Sequence, residues 1–111
     1  MNFSYQEVGY EAVTLPAANV EEGKLCKITE NGVTKCEPGD IFMGMVEKAY
    51  PGYASVQIHG FVTCVYYGTV PTCGYVNLAS NEAGGVRVNS AGRSYLVVDV
   101  NQSRNAVTFE L

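Results

Sequence analysis

From Ala54 to Tyr67 the chain reads ASVQIHGFVTCVYY, the longest strand candidate it contains, with one glycine, Gly60, near its middle. Successive side chains of a strand point to opposite faces, so Val56, Ile58, Gly60, Val62, Cys64 and Tyr66 share one face. Gln57, His59, Phe61, Thr63, Val65 and Tyr67 share the other. Gly60 is the place for a bulge or a barrel corner. The same period of two recurs along the chain, whereas an α-helical period is nowhere sustained. The helix-like window PAANVEEGK is short and ends at Gly23, which allows a single turn at most. Strands are predicted at Ala12–Leu15, Lys24–Thr29, Val33–Glu37, Ile41–Lys48, Ala54–Tyr67, Tyr75–Ala79, Gly85–Val88, Tyr95–Val100 and Ala106–Leu111.

Turn chemistry and repetition organise these strands. Asn31-Gly32 marks a hairpin between LCKIT and VTKC. A three-residue loop, Glu30-Asn31-Gly32 with Gly32 in the left-handed region, pairs Cys26 with Cys36 and Ile28 with Thr34 and keeps one face largely apolar. Lys27 and Lys35 then share the outer face. GVTKCEPGDIFMGMV from Gly32 and GVRVNSAGRSYLVVDV from Gly85 share a Gly-Val opening. Each carries a further glycine seven residues later, Gly39 and Gly92, followed by an apolar strand. Upstream GKLCKI matches GYVNL; downstream ASVQI matches AVTFEL in pattern. The expected fold is therefore all-β, a small β-barrel or β-sandwich built from two pseudo-repeated hairpin units around one core. At 111 residues this is a single domain, 1–111, with 1–11 read as an extended N-terminal arm.

Composition narrows the function. The net charge is -4, so the basic surface that nucleic-acid binding requires is absent, as is a basic membrane-surface helix. No apolar run approaches the roughly 20 residues of a transmembrane helix. MNFSYQEVGY has neither the basic nor the apolar region of a signal peptide, so the four cysteines (Cys26, Cys36, Cys64, Cys73) are expected as free thiols in a reducing cytoplasm.

The reactive-looking residues do not assemble into chemistry. His59 and Cys64 fall on opposite faces and stand too far apart along the strand for a dyad. The cysteines lack the close pairs of a zinc site. The carboxylates are scattered, and no nucleophile elbow, P-loop or dinucleotide fingerprint occurs. Neither catalytic residues, cofactor nor metal is expected. Tyr50, Tyr53, Tyr66, Tyr67, Tyr75 and Tyr95 have no basic residues between them with which to hold an oligonucleotide, and suit a protein partner better.

VEEGKLCKI, NGVTKCEPGDIFMGMVEKA, YASVQIHGFVTCVYYG, CGYVNLASNEAGGVRV, GRSYLVVDV and NAVTFEL, in that order, resemble the small capsid cement or head decoration proteins of tailed bacteriophages and prophages. The correspondence lies in Gly23–Ile28, Gly32-Val33, Phe42–Val46, Val56–Gly60, Gly74–Leu78 and Tyr95–Leu111. CVYYG and the cysteines of the first hairpin stand outside that pattern. The resemblance implies a non-enzymatic β-rich module, made in the bacterial host cytoplasm, that binds the major capsid protein on the outside of the virion head, often as a homotrimer. The alternative is a small β-barrel ligand-binding or enzyme-accessory domain with a tyrosine-rich pocket wall. For a trimer, the candidate subunit interface is Phe61, Val65 and Tyr67 on the outward face of the long strand, with Met1–Tyr10 left to reach a capsid neighbour.

Overall fold

Gly60 divides the molecule. In the computed structural model, which describes residues 9–81 and 83–111, the long alternating stretch is two strands meeting at Gly60, whose φ is 98°. A Cβ there would stand 3.0 Å from Tyr10 Cα, so a side chain would push the incoming chain away. Ten strands are formed: β1 (Glu11–Pro16), β2 (Leu25–Thr29), β3 (Gly32–Lys35), β4 (Gly44–Tyr50), β5 (Tyr53–His59), β6 (Phe61–Tyr67), β7 (Gly74–Ser80), β8 (Val86–Val88), β9 (Arg93–Asn101) and β10 (Ala106–Glu110). There is no helix among the described residues, and PAANVEEGK begins with the last residue of β1, Pro16, and the bridge at Ala17 before it passes into bends and a turn. The all-β expectation holds. Of the expected N-terminal arm, 1–8 lie outside the described residues, and Glu11 already pairs with His59.

The duplication read from the glycines is present in the topology. The first five strands form a sheet in the order β1-β5-β4-β2-β3, and the last five close a barrel that runs β6-β10-β9-β7-β8. Adding five to each label of the first order gives the second. The match extends to detail. β6 and β8 pair in parallel, Tyr66 with Val86, and β1 and β3 meet at a parallel bridge, Ala17 with Val33. The β4–β5 ladder carries an irregularity between Val46 and Lys48, and the β9–β10 ladder one between Thr108 and Phe109.

The Gly-Val pair makes this closure possible. A Cβ on Gly32 would lie 2.3 Å from the Pro16 carbonyl oxygen, and one on Gly85 2.2 Å from that of Val65. Only a residue without a side chain lets the parallel strand come so close. The following valines, Val33 and Val86, are buried in the two cores.

That closure also corrects the first hairpin. Thr29 pairs with Gly32, Ile28 with Val33, Lys27 with Thr34 and Cys26 with Lys35, leaving the two-residue loop Glu30-Asn31. Gly32 has the expected positive φ, 112°, but lies in β3 rather than in the loop. Thr29 Oγ1 completes the turn, donating to the Gly32 carbonyl at 2.9 Å and accepting from Asn31 N–H at 3.3 Å. The register puts Val33 inside and Gly32 against Pro16, a demand from β1 that the faces of the hairpin do not reveal. Lys27 and Lys35 are not neighbours across it. Lys27 Nζ instead binds Asp40 Oδ2 at 2.7 Å.

A second correction concerns Ile41–Lys48, predicted as one strand. β4 begins only at Gly44, because Phe42 turns into the other half. Phe42 is buried with Val62, Cys64, Tyr95 and Phe109 in the core of the closed barrel. Its ring stacks on Tyr95 (centroids 4.7 Å, interplanar angle 10°), and the Tyr95 hydroxyl donates to the Phe42 carbonyl at 3.4 Å. The preceding turn is fastened as well. Gly39 N–H donates to the Ser80 carbonyl at 2.9 Å, and Ser80 Oγ donates toward the carbonyls of Glu37 and Asp40 at 2.6 and 3.1 Å.

Two outcomes are expected in urea unfolding. Gly85→Ala should destabilise by about 1–3 kcal/mol through overpacking alone, and Gly32→Ala by more, because its positive φ adds backbone strain. Phe42→Ala should cost about 3–5 kcal/mol, since it empties part of the barrel core and removes the ring by which the first half is coupled to the second. Two separate transitions in the wild type would contradict that coupling.

Candidate functional site

The Gly60 corner separates the two residues that looked reactive. His59 ends β5 exposed, at the rim of a groove in the first half, while Cys64 points into the core of the second. They form no dyad. Cys26 is buried with Sγ 3.4 Å from the Gly44 carbonyl, to which the thiol donates; Cys36 is half-buried and Cys73 exposed, and all four thiols are free. Burial raises the pKa of Cys26 and Cys64 to about 12 and that of Cys36 to about 11. At neutral pH these three are protonated and poor nucleophiles. Among the described residues no three His, Cys, Asp or Glu side chains converge to hold a metal ion.

These thiols make stability depend on alkaline pH. An unfolded cysteine loses its proton near 8.5, below the folded values, so the folded state binds more protons between the two. The stabilisation is complete below about pH 8.5 and is lost as pH rises toward 11–12. Urea midpoints should therefore fall steadily above pH 9, and less in Cys64→Val. A disulfide reagent at pH 8 should label Cys73 promptly, and Cys26 and Cys64 only after denaturation. Prompt labelling of all four would contradict this.

The outward face of β6 is where the sequence reading put it. Val62, Cys64 and Tyr66 point inward; Val65 and Tyr67 are exposed (44% and 40%) and Phe61 is half-buried. Beside them on β10, Ala106 pairs with Val65 and Thr108 with Thr63, the two threonine hydroxyls being 2.7 Å apart. Glu110, opposite Phe61, is the one charged side chain in this two-strand ladder.

Two concavities among the described residues bear on function. The smaller, about 240 Å³, lies between the halves, where Lys24, Lys35 and Cys36 face Gly84. Its lysine Lys24 is held by the Ala83 carbonyl at 3.1 Å. The larger, about 510 Å³, is the open mouth of the first sheet, lined by Val13, Leu15, Ile28, Ile41, Met43 and Ile58. His59 and Arg93 stand at its rim, and Phe42 forms part of its wall. Ile28 and Ile41 are 58% and 46% exposed, large values for aliphatic side chains.

At the far end of β1 the hairpin between β4 and β5 presents Tyr50 and Tyr53, stacked at 4.7 Å and 14°. Ala17 N–H donates to the Gly52 carbonyl at 3.1 Å and fixes the tip. Sequence reasoning named Tyr50 and Tyr53 among the tyrosines suited to a protein partner but missed their stacking at one hairpin tip, and it missed the groove. The tip was marked by Pro51-Gly52 between two tyrosines. The groove had no local mark, because Val13, Ile28, Ile41 and Ile58 come from separate segments.

Compared with known proteins, the chain matches no family model, no curated protein sequence and no solved structure.

Proposed function

We propose that the chain is a capsid decoration protein, a non-catalytic module that binds the outer surface of a phage or prophage head and reinforces it as a homotrimer. The observation that carries this reading is the face of β6 and β10. Phe61, Thr63, Val65 and Tyr67 form an outward row with almost no charge on a regular, closed barrel, a surface that suits burial against protein. The resemblance of the sequence pattern to cement proteins is what suggests the partner, the major capsid protein. Weak contacts to a lattice gain strength when three copies bind together, so a small module needs no deep pocket to hold a head.

A second reading, a small ligand-binding barrel, is favoured by the 510 Å³ groove. That volume falls in the range of ligand pockets, roughly 300–1,000 Å³. Its lining is aliphatic, however, and the Arg93 guanidinium at its rim is engaged 5.2 Å above the Tyr95 ring. A specific small-molecule site places several polar groups in convergence. This one does not.

The test has two parts: a major capsid protein gene should lie in the neighbourhood of the gene for this chain, and heads assembled from that capsid protein serve for binding. Full-length protein should co-sediment with them saturably and raise their melting temperature. Val65→Asp and Tyr67→Asp should reduce the trimer mass seen by light scattering and weaken head binding at least tenfold. Absence of co-sedimentation by the wild type would overturn the capsid role, and an unchanged trimer in both variants would remove the β6 face from it.

A further inference from the structure

The two halves are topologically alike but differ in what fills their cores, and the groove is the place of difference. The carbonyls that press on Gly32 and Gly85 belong to Pro16 and Val65, which fixes the match between β1 and β6. One residue back, Leu15 corresponds to Cys64; three back, Val13 corresponds to Val62. In the second half these inward positions are buried around the stacked pair Phe42 and Tyr95. In the first half Val13 and Leu15 line the open groove. The groove is thus the counterpart of a socket that, in the other half, holds a stacked aromatic pair.

We propose that this groove receives the Tyr50–Tyr53 hairpin tip of a second copy of the chain. The tip has the matching form: two aromatic rings, stacked in nearly the same geometry as Phe42 and Tyr95, 42% and 44% exposed, on a turn held by Gly52. Because the pair is ordered before docking, little side-chain freedom is lost on insertion. The tip lies at the Pro16–Tyr53 end of β1, just past Leu15 of the groove, and the groove runs from there toward the Glu11–His59 end. Tip and groove are different surfaces of one copy, so the contact between copies runs head to tail. Such heterologous contacts close into rings when the rotation allows. Charge agrees with this arrangement. Arg93 is the permanently charged side chain at the groove, and Glu22 and Glu47 brace the hairpin beside Lys48, accepting from Ala49 N–H and Ser55 Oγ. This contact is independent of the capsid reading and uses a surface other than β6.

Mixing two defective variants tests it. Ile28→Asp spoils the groove and Tyr50→Ala/Tyr53→Ala the tip; both change exposed side chains, and Ile41→Asp is a second groove variant should Ile28→Asp fold poorly. Each is made in a Val65→Asp background, which removes the β6 contact. In sedimentation velocity across a dilution series, Val65→Asp alone should still associate, and each groove or tip variant should associate at least tenfold more weakly than it. An equimolar mixture should form a 1:1 pair, joined by the one intact groove and the one intact tip, and nothing larger. A Val65→Asp protein that stays monomeric at tens of micromolar assigns all association to β6 and overturns the proposal. So do groove and tip variants that associate like their background, or a mixture no better associated than its parts. Loss of head binding in Ile28→Asp with self-association intact assigns the groove to the capsid, with the same consequence.

Discussion

Everything in this molecule rests on two close approaches between a glycine and a carbonyl. Pro16 O against Gly32 and Val65 O against Gly85 each lie where a Cβ would stand. Each approach brings the first strand of a half alongside its third, and the resulting parallel contact curls a sheet of otherwise antiparallel strands toward closure. A curled sheet buries its inward valines on all sides and hides its edges, which otherwise invite pairing with other chains. Both halves use the same device, which is why Gly-Val was the most informative dipeptide in the chain.

Duplication alone would give two similar units side by side. Phe42 joins them into one. Its ring lies in the second core while the segment that carries it leads into β4 of the first half, and the Ser80 hydroxyl holds the turn that delivers it. The asymmetry that follows has a cost for the first half. By sending its aromatic plug across, that half keeps an aliphatic mouth open to the surface. An exposed row of this kind is unfavourable for an isolated monomer and useful to one that associates.

The surface chemistry points away from reactive side chains and toward contact. Three thiols are held protonated by burial, His59 stands apart from them, and the larger concavity is aliphatic. What the exterior offers is area: the nearly uncharged row on β6, the stacked tyrosines and the groove. Those are means of recognition by shape and burial, the means that the proposed role in assembly would use.

The amino-acid sequence by itself determined the class, the positions of the strands and the existence of two related units. Those properties follow from a period of two, from turn-forming glycines and from spacings within a few dozen residues, all local quantities. It also determined that Val62, Cys64 and Tyr66 point opposite to Phe61, Val65 and Tyr67. Tertiary structure decided the rest. The first hairpin took a register in which Val33 faces inward because Pro16, on another strand, occupies the space beside Gly32. Ile41–Met43 left the strand pattern because the place for Phe42 lies among residues 62–109. The groove exists only because Val13, Ile28 and Ile58 converge from three strands. No local pattern contains such information: a carbonyl pressing on a distant glycine, or a ring stacking across two halves, is fixed by the closed geometry of the whole sheet.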